Sequence, residues 1–251
     1  MADELTKANI NLFAVLRNLE DLCELDEITQ KLVAGKTISI AFHVKAGPNA
    51  VLSLQNGKVK LTRGKGKAVI KLYFTSPEHL NRMFDGKANP IPLKGMTKLK
   101  FLTNEFTKLT DRLAYFLKPT DQLLEDPKYM KINTILTANT AFFALAEIGN
   151  YDRIGKMNAE RIDDGVISIS VKEGPAINIT AKGGRLRAAK GKGDLPRAFM
   201  SFSNIKIAND ILNGKKDTYT CIGTGDFEVR GYMPMLDNMN KLLFMVPSFL
   251  K

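Results

Sequence analysis

The side chains that could carry out chemistry are few and scattered. His43 and His79 are the only histidines and Cys23 and Cys221 the only cysteines, and no two of the four stand at a spacing typical of metal ligands. The sequence also lacks the Gly-x-Ser-x-Gly nucleophile elbow and the His-Glu-x-x-His zinc helix. The adjacent carboxylates Asp163-Asp164 lie in a polar approach to a predicted strand and are typical of a turn. We therefore expect neither a catalytic site nor a metal nor a cofactor.

Two glycine-rich segments invite a phosphate-binding interpretation, Gly64-Lys65-Gly66 and Gly191-Lys192-Gly193. Neither has the third glycine of a dinucleotide-binding loop, and no Gly-x-x-x-x-Gly-Lys-Ser/Thr motif is present. The two segments are instead copies of each other within a longer repeat. We therefore interpret the glycines as structural.

The repeat indicates that one fold is used twice. Residues 40–66 align without gaps with residues 167–193, an offset of 127, and nine of the 27 positions are identical. Ordinary residue usage would give roughly one match in sixteen. After one inserted residue the offset becomes 128, and it is predicted to hold to the end, pairing Gly95 with Gly223 and Phe116 with Phe244.

The order of elements in each copy predicts an α+β domain. Each copy begins with apolar residues at helical spacing, which in the first copy are Leu12, Leu16, Leu19 and Cys23. Three strands follow, then a strand, a short helix and a fifth strand after Gly95 or Gly223. Each copy closes with an apolar helix, which Pro119 or Pro247 is expected to stop. We place the domains at residues 1–122 and 123–251.

The composition indicates a globular protein without a membrane-spanning segment. The apolar content of 44% and charged content of 25% are those of an ordinary globular protein. The first residues are acidic where the basic region of a signal peptide would stand, and no run of 18 apolar residues occurs, so we expect neither a leader nor a transmembrane segment. The two cysteines occupy non-equivalent places in the copies, which predicts free thiols and a cytoplasmic protein.

The net charge of +11 is concentrated in the two equivalent basic segments, which sum to +5 each over residues 58–67 and 182–197. Solvated turns, contact with an anionic membrane surface and binding of nucleic acid are the alternatives. Nucleic acid fits the isoelectric point of about 9.5, but no aromatic residues interleave the basic ones. The residues predicted to contact an anionic surface are Lys58, Lys60, Arg63, Lys65, Arg185, Arg187, Lys190 and Lys192.

Several motifs of the first copy stand out together. They are the IAFHVKAGP strand and turn, the NGKVKL hairpin, the pair Gly86-Lys87, and Gly95 with the Lys-apolar-Lys-apolar run that follows. The second copy keeps Gly174-Pro175, Gly214-Lys215 and Gly223. In these motifs the sequence resembles the lipid-transfer domain family of the type-two sterol carrier proteins. The resemblance implies two tandem domains of this family, each a five-stranded mixed or antiparallel sheet whose one face is covered by helices.

The resemblance further implies an apolar tunnel between sheet and helices, with the closing helix as a lid, that binds a lipid or another hydrophobic small molecule without transforming it. Some members of the family are accessory domains in lipid or quinone biosynthesis, so a protein partner in lipid metabolism is expected. The alternative is a ligand-free scaffold in which the copies form a pseudo-dimer with solid cores.

The predicted lipid-binding residues of the first copy are Phe42, Leu52, Leu72, Phe74, Met83, Phe84, Leu99, Phe101, Leu109, Leu113 and Phe116. Those of the second copy are Ile169, Ile179, Met200, Phe202, Ile211, Leu212, Phe227, Val229, Met239 and Phe244.

Overall fold

The structure is a computed structural model that describes residues 3–250, with the backbone alone for Leu99. The chain divides into two compact units, Met1–Lys118 and Pro119–Lys251. Each unit contains one five-stranded mixed sheet together with helices. The predicted α+β class is therefore confirmed.

The first unit opens with helices and continues with four strands before its short helix. The helices of this opening are α1 (Glu4–Ile10), a π-helical turn (Asn11–Val15), a 3-10 turn (Leu16–Asn18), α2 (Leu19–Leu25) and α3 (Glu27–Val33). The remaining elements are β1 (Thr37–Val44), β2 (Asn49–Gln55), β3 (Lys58–Arg63), β4 (Ile70–Phe74), α4 (Pro77–Phe84), β5 (Ile91–Lys94), α5 (Leu99–Phe101) and α6 (Thr107–Leu117).

The first sheet has the strand order β3-β2-β1-β4-β5. β1 and β4 are parallel, and the other neighbours are antiparallel. Since side chains alternate along a strand, Phe42 on β1 shares one face with Leu72 and Phe74 on β4, and all three are buried. That face forms the core against the helices.

The second unit repeats this arrangement with different helices at both ends. Its elements are α7 (Pro127–Tyr151), α8 (Arg153–Ala159), β6 (Gly165–Val171), β7 (Ala176–Lys182), β8 (Arg185–Lys190), β9 (Ala198–Phe202), α9 (Ile205–Leu212), α10 (Thr218–Gly223), β10 (Phe227–Gly231) and α11 (Met233–Phe249). The strand order, β10-β9-β6-β7-β8, is that of the first sheet, with β6 and β9 parallel.

The Gly-Lys-Gly segments belong to the connection between β3 and β4 and to its counterpart in the second unit. Because β1 and β2 lie between β3 and β4 in the sheet, residues 64–69 must cross over them. Gly64 has a φ of +103°, which glycine adopts without strain. A Cβ on Gly66 would lie 2.9 Å from Cγ2 of Val51 on β2. The glycines thus let the crossover lie close to the sheet, which explains their repetition.

The fifth strand of the first unit lies elsewhere than the sequence predicted. β5 ends before Gly95, and residues 96–106 form 3-10, α and π turns that lead into α6. The backbone at Leu99 and Phe101 is therefore helical, and the predicted strand after Gly95 is wrong. In the second unit, β10 does follow Gly223, as predicted.

The cause of this difference is an insertion in each unit. A Cβ on Gly95 would lie 2.7 Å from the carbonyl oxygen of Val69, and one on Gly231 would make the same approach to the carbonyl oxygen of Arg197. Gly95 therefore corresponds to Gly231 rather than to Gly223. The second unit inserts α10 before its fifth strand, and the first unit inserts residues 96–106 after it.

The closing helices are consequently shifted against each other. Phe116 is 2% exposed, whereas Phe244, its predicted equivalent, is 74% exposed. The buried positions at Leu109, Leu113 and Phe116 match those at Met235, Met239 and Leu242, an offset of 126. The constant offset of 128 is thus wrong for the closing helix. Nor does Pro247 stop α11, which runs to Phe249.

Candidate functional site

The first unit contains a cavity of about 640 Å³ between its sheet and its closing helix. Most of the lining side chains are apolar. The lining residues are Val15, Leu16, Phe42, Leu72, Met83, Phe84, Gly86, Asn89, Pro90, Pro92, Leu102, Thr103, Phe106, Thr107, Thr110, Asp111, Leu113, Ala114, Leu117 and Lys118.

The floor of the cavity is the helix-facing side of the sheet. Phe42 on β1 and Leu72 on β4 are neighbours in the parallel register and are 1% and 2% exposed. Phe106 also lines the cavity, and the centroid of its ring lies 6.5 Å from that of Phe42. Phe74, on the same face of the sheet, stacks with Phe42 at a centroid distance of 6.4 Å and does not line the cavity. Phe42 therefore has one aromatic neighbour in the core and another at the cavity wall.

Both π-helical turns of the first unit border the cavity. The turn Asn11–Val15 contributes Val15, and the turn Leu102–Phe106 contributes its first, second and last residues. A π turn widens a helix locally, and such turns occur frequently at functional sites. The second of them lies within residues 96–106, the insertion that distinguishes this unit. The cavity wall is thus built partly from a segment without a counterpart after Gly231.

The polar lining residues mark the mouth of the cavity. Asn89, Thr103, Thr107, Asp111 and Lys118 are exposed. Four of them recur along the closing helix and the turn before it, and Asn89 lies on the opposite segment, between α4 and β5. The cavity therefore has an apolar interior and a polar rim open to solvent.

A histidine fixes the segment that carries Asn89. The Nδ1 atom of His79 lies 3.2 Å from the backbone nitrogen of Thr75, whose N–H it accepts, which leaves Nε2 to donate to the carbonyl oxygen of Asn89 at 2.9 Å. His79 is placed for this by α4, whose first turn is capped by Ser76. The side chain thus positions one edge of the mouth.

The structure brings part of the predicted first-copy set into the cavity wall. The predicted residues that line it are Phe42, Leu72, Met83, Phe84 and Leu113. Leu52, Phe74, Phe101, Leu109 and Phe116 are buried in the surrounding core instead, and the side chain of Leu99 lies outside the described residues. Leu102, Phe106 and Leu117 line the cavity but were not predicted, although with Leu113 they recur at spacings of four and seven residues. That pattern, extended backwards from the closing helix, is the signal that could have found them.

The predicted second-copy residues are distributed between core and surface. Ile169, Ile179, Met200, Phe202, Phe227 and Met239 are buried. Ile211, Leu212 and Val229 are half-buried, and Phe244 is exposed. The rings of Phe202 and Phe227 lie 4.6 Å apart, so these two side chains pack against each other.

The basic residues predicted to contact an anionic surface are all exposed, but Arg63 also makes contacts within the unit. Lys58, Lys60, Arg63 and Lys65 are exposed, and the guanidinium of Arg63 lies 3.5 Å from the centre of the Phe13 ring and donates to Asn9. Arg63 thus covers the opening helices. In the second unit Arg185, Arg187, Lys190 and Lys192 are exposed.

The described part of the chain has neither a grouping of metal ligands nor a membrane-spanning helix. Within residues 3–250, no three His, Cys, Asp or Glu side chains are grouped as metal ligands would be. Over the same residues, no helix is long and apolar enough to cross a membrane. Cys23 and Cys221 are buried free thiols.

Comparison with known proteins found no matching family model and no matching curated protein. Three solved structures similar to this chain are sterol carrier protein domain 2 of Helicoverpa armigera, the ubiquinone synthesis protein UbiJ-SCP2, and sterol carrier protein 2 from Yarrowia lipolytica in its apo form. Their sequence identities are 18%, 15% and 18%, with TM-scores of 0.34, 0.35 and 0.31. The matches cover 52%, 44% and 41% of this chain and 94%, 95% and 92% of the three structures.

Proposed function

We propose that the first unit binds a hydrophobic ligand with one long apolar chain, such as a fatty acid or another acyl lipid, without transforming it. The observation that carries this proposal is the cavity of about 640 Å³ between sheet and closing helix. Its volume lies within the roughly 300–1,000 Å³ typical of small-molecule sites.

The distribution of polarity favours a ligand with an apolar chain and one polar end. Burying a polar group without a hydrogen-bond partner is costly, so the interior formed by Phe42, Leu72 and Phe106 selects an apolar chain. The polar end of the ligand then remains at the mouth, where it reaches water and the side chains of Asn89 and Lys118.

The polar lining favours binding over catalysis. The hydroxyl of Thr107 donates to the carbonyl oxygen of Leu102, and that of Thr110 to the carbonyl oxygen of Thr107, both at 2.9 Å. These hydroxyls are therefore engaged by the backbone, and neither of the two histidines lines the cavity. The lining offers shape and polarity rather than an activated nucleophile.

We also propose that the two units are tandem copies of one sterol-carrier-like domain. Their identical strand order and the glycine crossover in both support this. A buried asparagine on the short helix supports it further. Asn81 on α4 accepts from Asn11, and Asn209 on α9 donates to Asn133, so each ties its helix to an opening helix of its own unit.

A chain-length series tests the binding proposal. Saturated fatty acids of increasing length would compete with a fluorescent fatty acid for the purified protein. Each methylene that leaves water contributes about 0.8 kcal/mol, so affinity should increase about fourfold per methylene until the cavity is full. Native mass spectrometry of the purified protein provides an independent search for bound lipid. Failure to bind the fluorescent acid, or an affinity independent of chain length, would contradict the proposal and favour a ligand-free scaffold.

A further inference from the structure

The segment that borders the cavity mouth combines positive charge with exposed apolar side chains. We call residues 86–104 the basic rim. It carries Lys87, Lys94, Lys98 and Lys100 and no acidic residue, and all four lysines are exposed. Three large apolar side chains within it are exposed as well, Ile91 by 41%, Leu93 by 54% and Met96 by 62%. Charge and apolar surface thus share one segment.

The basic rim is continuous with the cavity. Six of its residues line the cavity, namely Gly86, Asn89, Pro90, Pro92, Leu102 and Thr103. Leu93 and Met96 do not, although each stands within a few residues of a lining position. The same segment therefore forms part of the cavity wall and presents lysines and apolar side chains to the outside.

The turn at Gly95 exposes the apolar side chains of the rim. With a φ of +87° and a close approach to the backbone of Val69, Gly95 redirects the chain from β5 into the helical insertion. Val69 is itself 41% exposed. In the second unit the corresponding Gly231 leads almost directly into α11, so this part of the rim belongs to the first unit.

We propose that the basic rim docks the cavity mouth of the first unit on the surface of an anionic lipid bilayer. Lysines near such a surface are attracted by its negative potential, and the burial of exposed apolar side chains in the interface contributes favourable binding free energy. Docking through the rim would place the mouth against the lipid from which an acyl ligand enters. This inference rests on the proposed binding of such a ligand in the cavity.

The distribution of exposed apolar side chains favours the basic rim as the docking surface over the basic hairpin, which is formed by β2, β3 and the crossover. β3 and β5 are the opposite edges of the first sheet, so the hairpin and the rim lie apart. Of the large apolar side chains in residues 49–69, only Val69 is exposed, and its backbone lies against Gly95 of the basic rim. Away from that contact the hairpin offers charge alone, whereas the rim offers charge and apolar contact next to the cavity.

The test is a co-sedimentation measurement with vesicles of phosphatidylcholine alone or mixed with phosphatidylglycerol. The rim variant is Lys98→Gln with Lys100→Gln, and its matched control is Lys58→Gln with Lys60→Gln, which removes the same charge from exposed positions at the other edge of the sheet. A third variant, Leu93→Ser with Met96→Ser, removes apolar surface without changing charge. Binding of a soluble fluorescent fatty acid, measured without vesicles, shows whether each variant retains the cavity.

We expect the parent protein to bind the anionic vesicles more tightly than the neutral ones. The rim variant should lose about 25-fold in affinity for the anionic vesicles, at about fivefold per lysine. The affinity of the control variant for the anionic vesicles should change less than about twofold, and that of the serine variant should fall. The control and serine variants should both keep the fatty-acid affinity of the parent protein. An equal loss in the control, no loss in the rim variant, or tighter binding to single-stranded RNA than to anionic vesicles would overturn the proposal. Fatty-acid binding without vesicle binding would overturn docking alone, whereas vesicle binding without fatty-acid binding would overturn the proposed ligand.

Discussion

The carboxylate of Asp26 joins two helices of the first unit through the guanidinium of Arg112. Asp26 accepts the backbone N–H of Thr29 at 3.0 Å and so caps α3. Its two oxygens also accept from Nη2 and Nε of Arg112, on α6, at 2.8 and 3.2 Å. Asp26 is 4% exposed. The helix that walls the cavity is thereby fixed to the helical opening of the unit.

Arg112→Gln should therefore destabilise the first unit. Removing one partner of a buried ion pair leaves the other charge uncompensated, which costs about 3–5 kcal/mol when both partners are buried. The side chain of Arg112 is 25% exposed, so we expect a smaller loss of about 2–3 kcal/mol in the free energy of unfolding. Urea denaturation would measure it, with Lys206→Gln, at a more exposed ion pair in the second unit, as the control. A loss below about 0.5 kcal/mol would contradict a structural role for this pair.

The same pair predicts the acid sensitivity of the first unit. Burial opposes ionisation of Asp26, but hydrogen bonds from Arg112 and Thr29 outweigh it and hold the pKa of Asp26 below its ordinary value. A depressed pKa stabilises the folded state above the unfolded pKa of about 4, and this contribution is lost as the pH falls through the folded pKa. Asp26→Asn should thus flatten the dependence of stability on pH below about pH 4, as followed by urea denaturation in a pH series. An unchanged slope would show that other groups govern acid unfolding.

The elements of the fold that follow from local rules were predictable. Ser76 and Pro77 indicated the start of α4, and the structure confirms both the cap and the helix. The hairpin turn Asn56-Gly57 is confirmed by positive φ at both residues. These features depend on side chains that act within a few positions, so a single sequence reveals them.

The register of the closing segments was not predictable, because it depends on contacts across the fold. Gly95 aligns with Gly223 in the sequence, but its close approach to Val69 makes it the counterpart of Gly231. An identity between Phe116 and Phe244 likewise suggested equivalence, although one is buried and the other exposed. The cavity residues within 102–106 were missed for this reason, because a strand was predicted after Gly95 where residues 96–106 form helical turns.

Cys23 should serve as a reporter of local opening in the first unit. Burial, together with the nearby charges of Asp26 and Glu24, raises the pKa of Cys23 to about 12. Since the thiolate is the reactive form, native Cys23 should resist alkylation at neutral pH and react after unfolding. In a Cys221→Ser background, Arg112→Gln should accelerate labelling by iodoacetamide, as followed by mass spectrometry. Rapid labelling of the folded parent would contradict the packing around Cys23.

The two compact units predict two independently folding fragments. Fragments ending at Lys118 and starting at Pro119 each retain a five-stranded sheet with its helices. Each has about 120–130 residues, a size at which a single core is ordinarily sufficient. Each fragment should show an α+β circular dichroism spectrum and a cooperative thermal transition. If neither folds, alone or mixed, a single intertwined core would replace the two-domain interpretation.

A pair of tryptophan substitutions on α4 distinguishes an open cavity from a solid core. Met83 lines the cavity, whereas Leu80, one turn earlier, is 0% exposed and does not line it. The indole of Met83→Trp can enter the cavity, so stability should change little while affinity for the fluorescent fatty acid falls. At Leu80→Trp there is no such space, and overpacking should lower the free energy of unfolding by about 1–3 kcal/mol. Urea denaturation and fatty-acid titration of both variants provide the comparison. Equal destabilisation by the two, together with no fatty-acid binding by the parent protein, would show that the unit is packed solid in solution and would favour the scaffold.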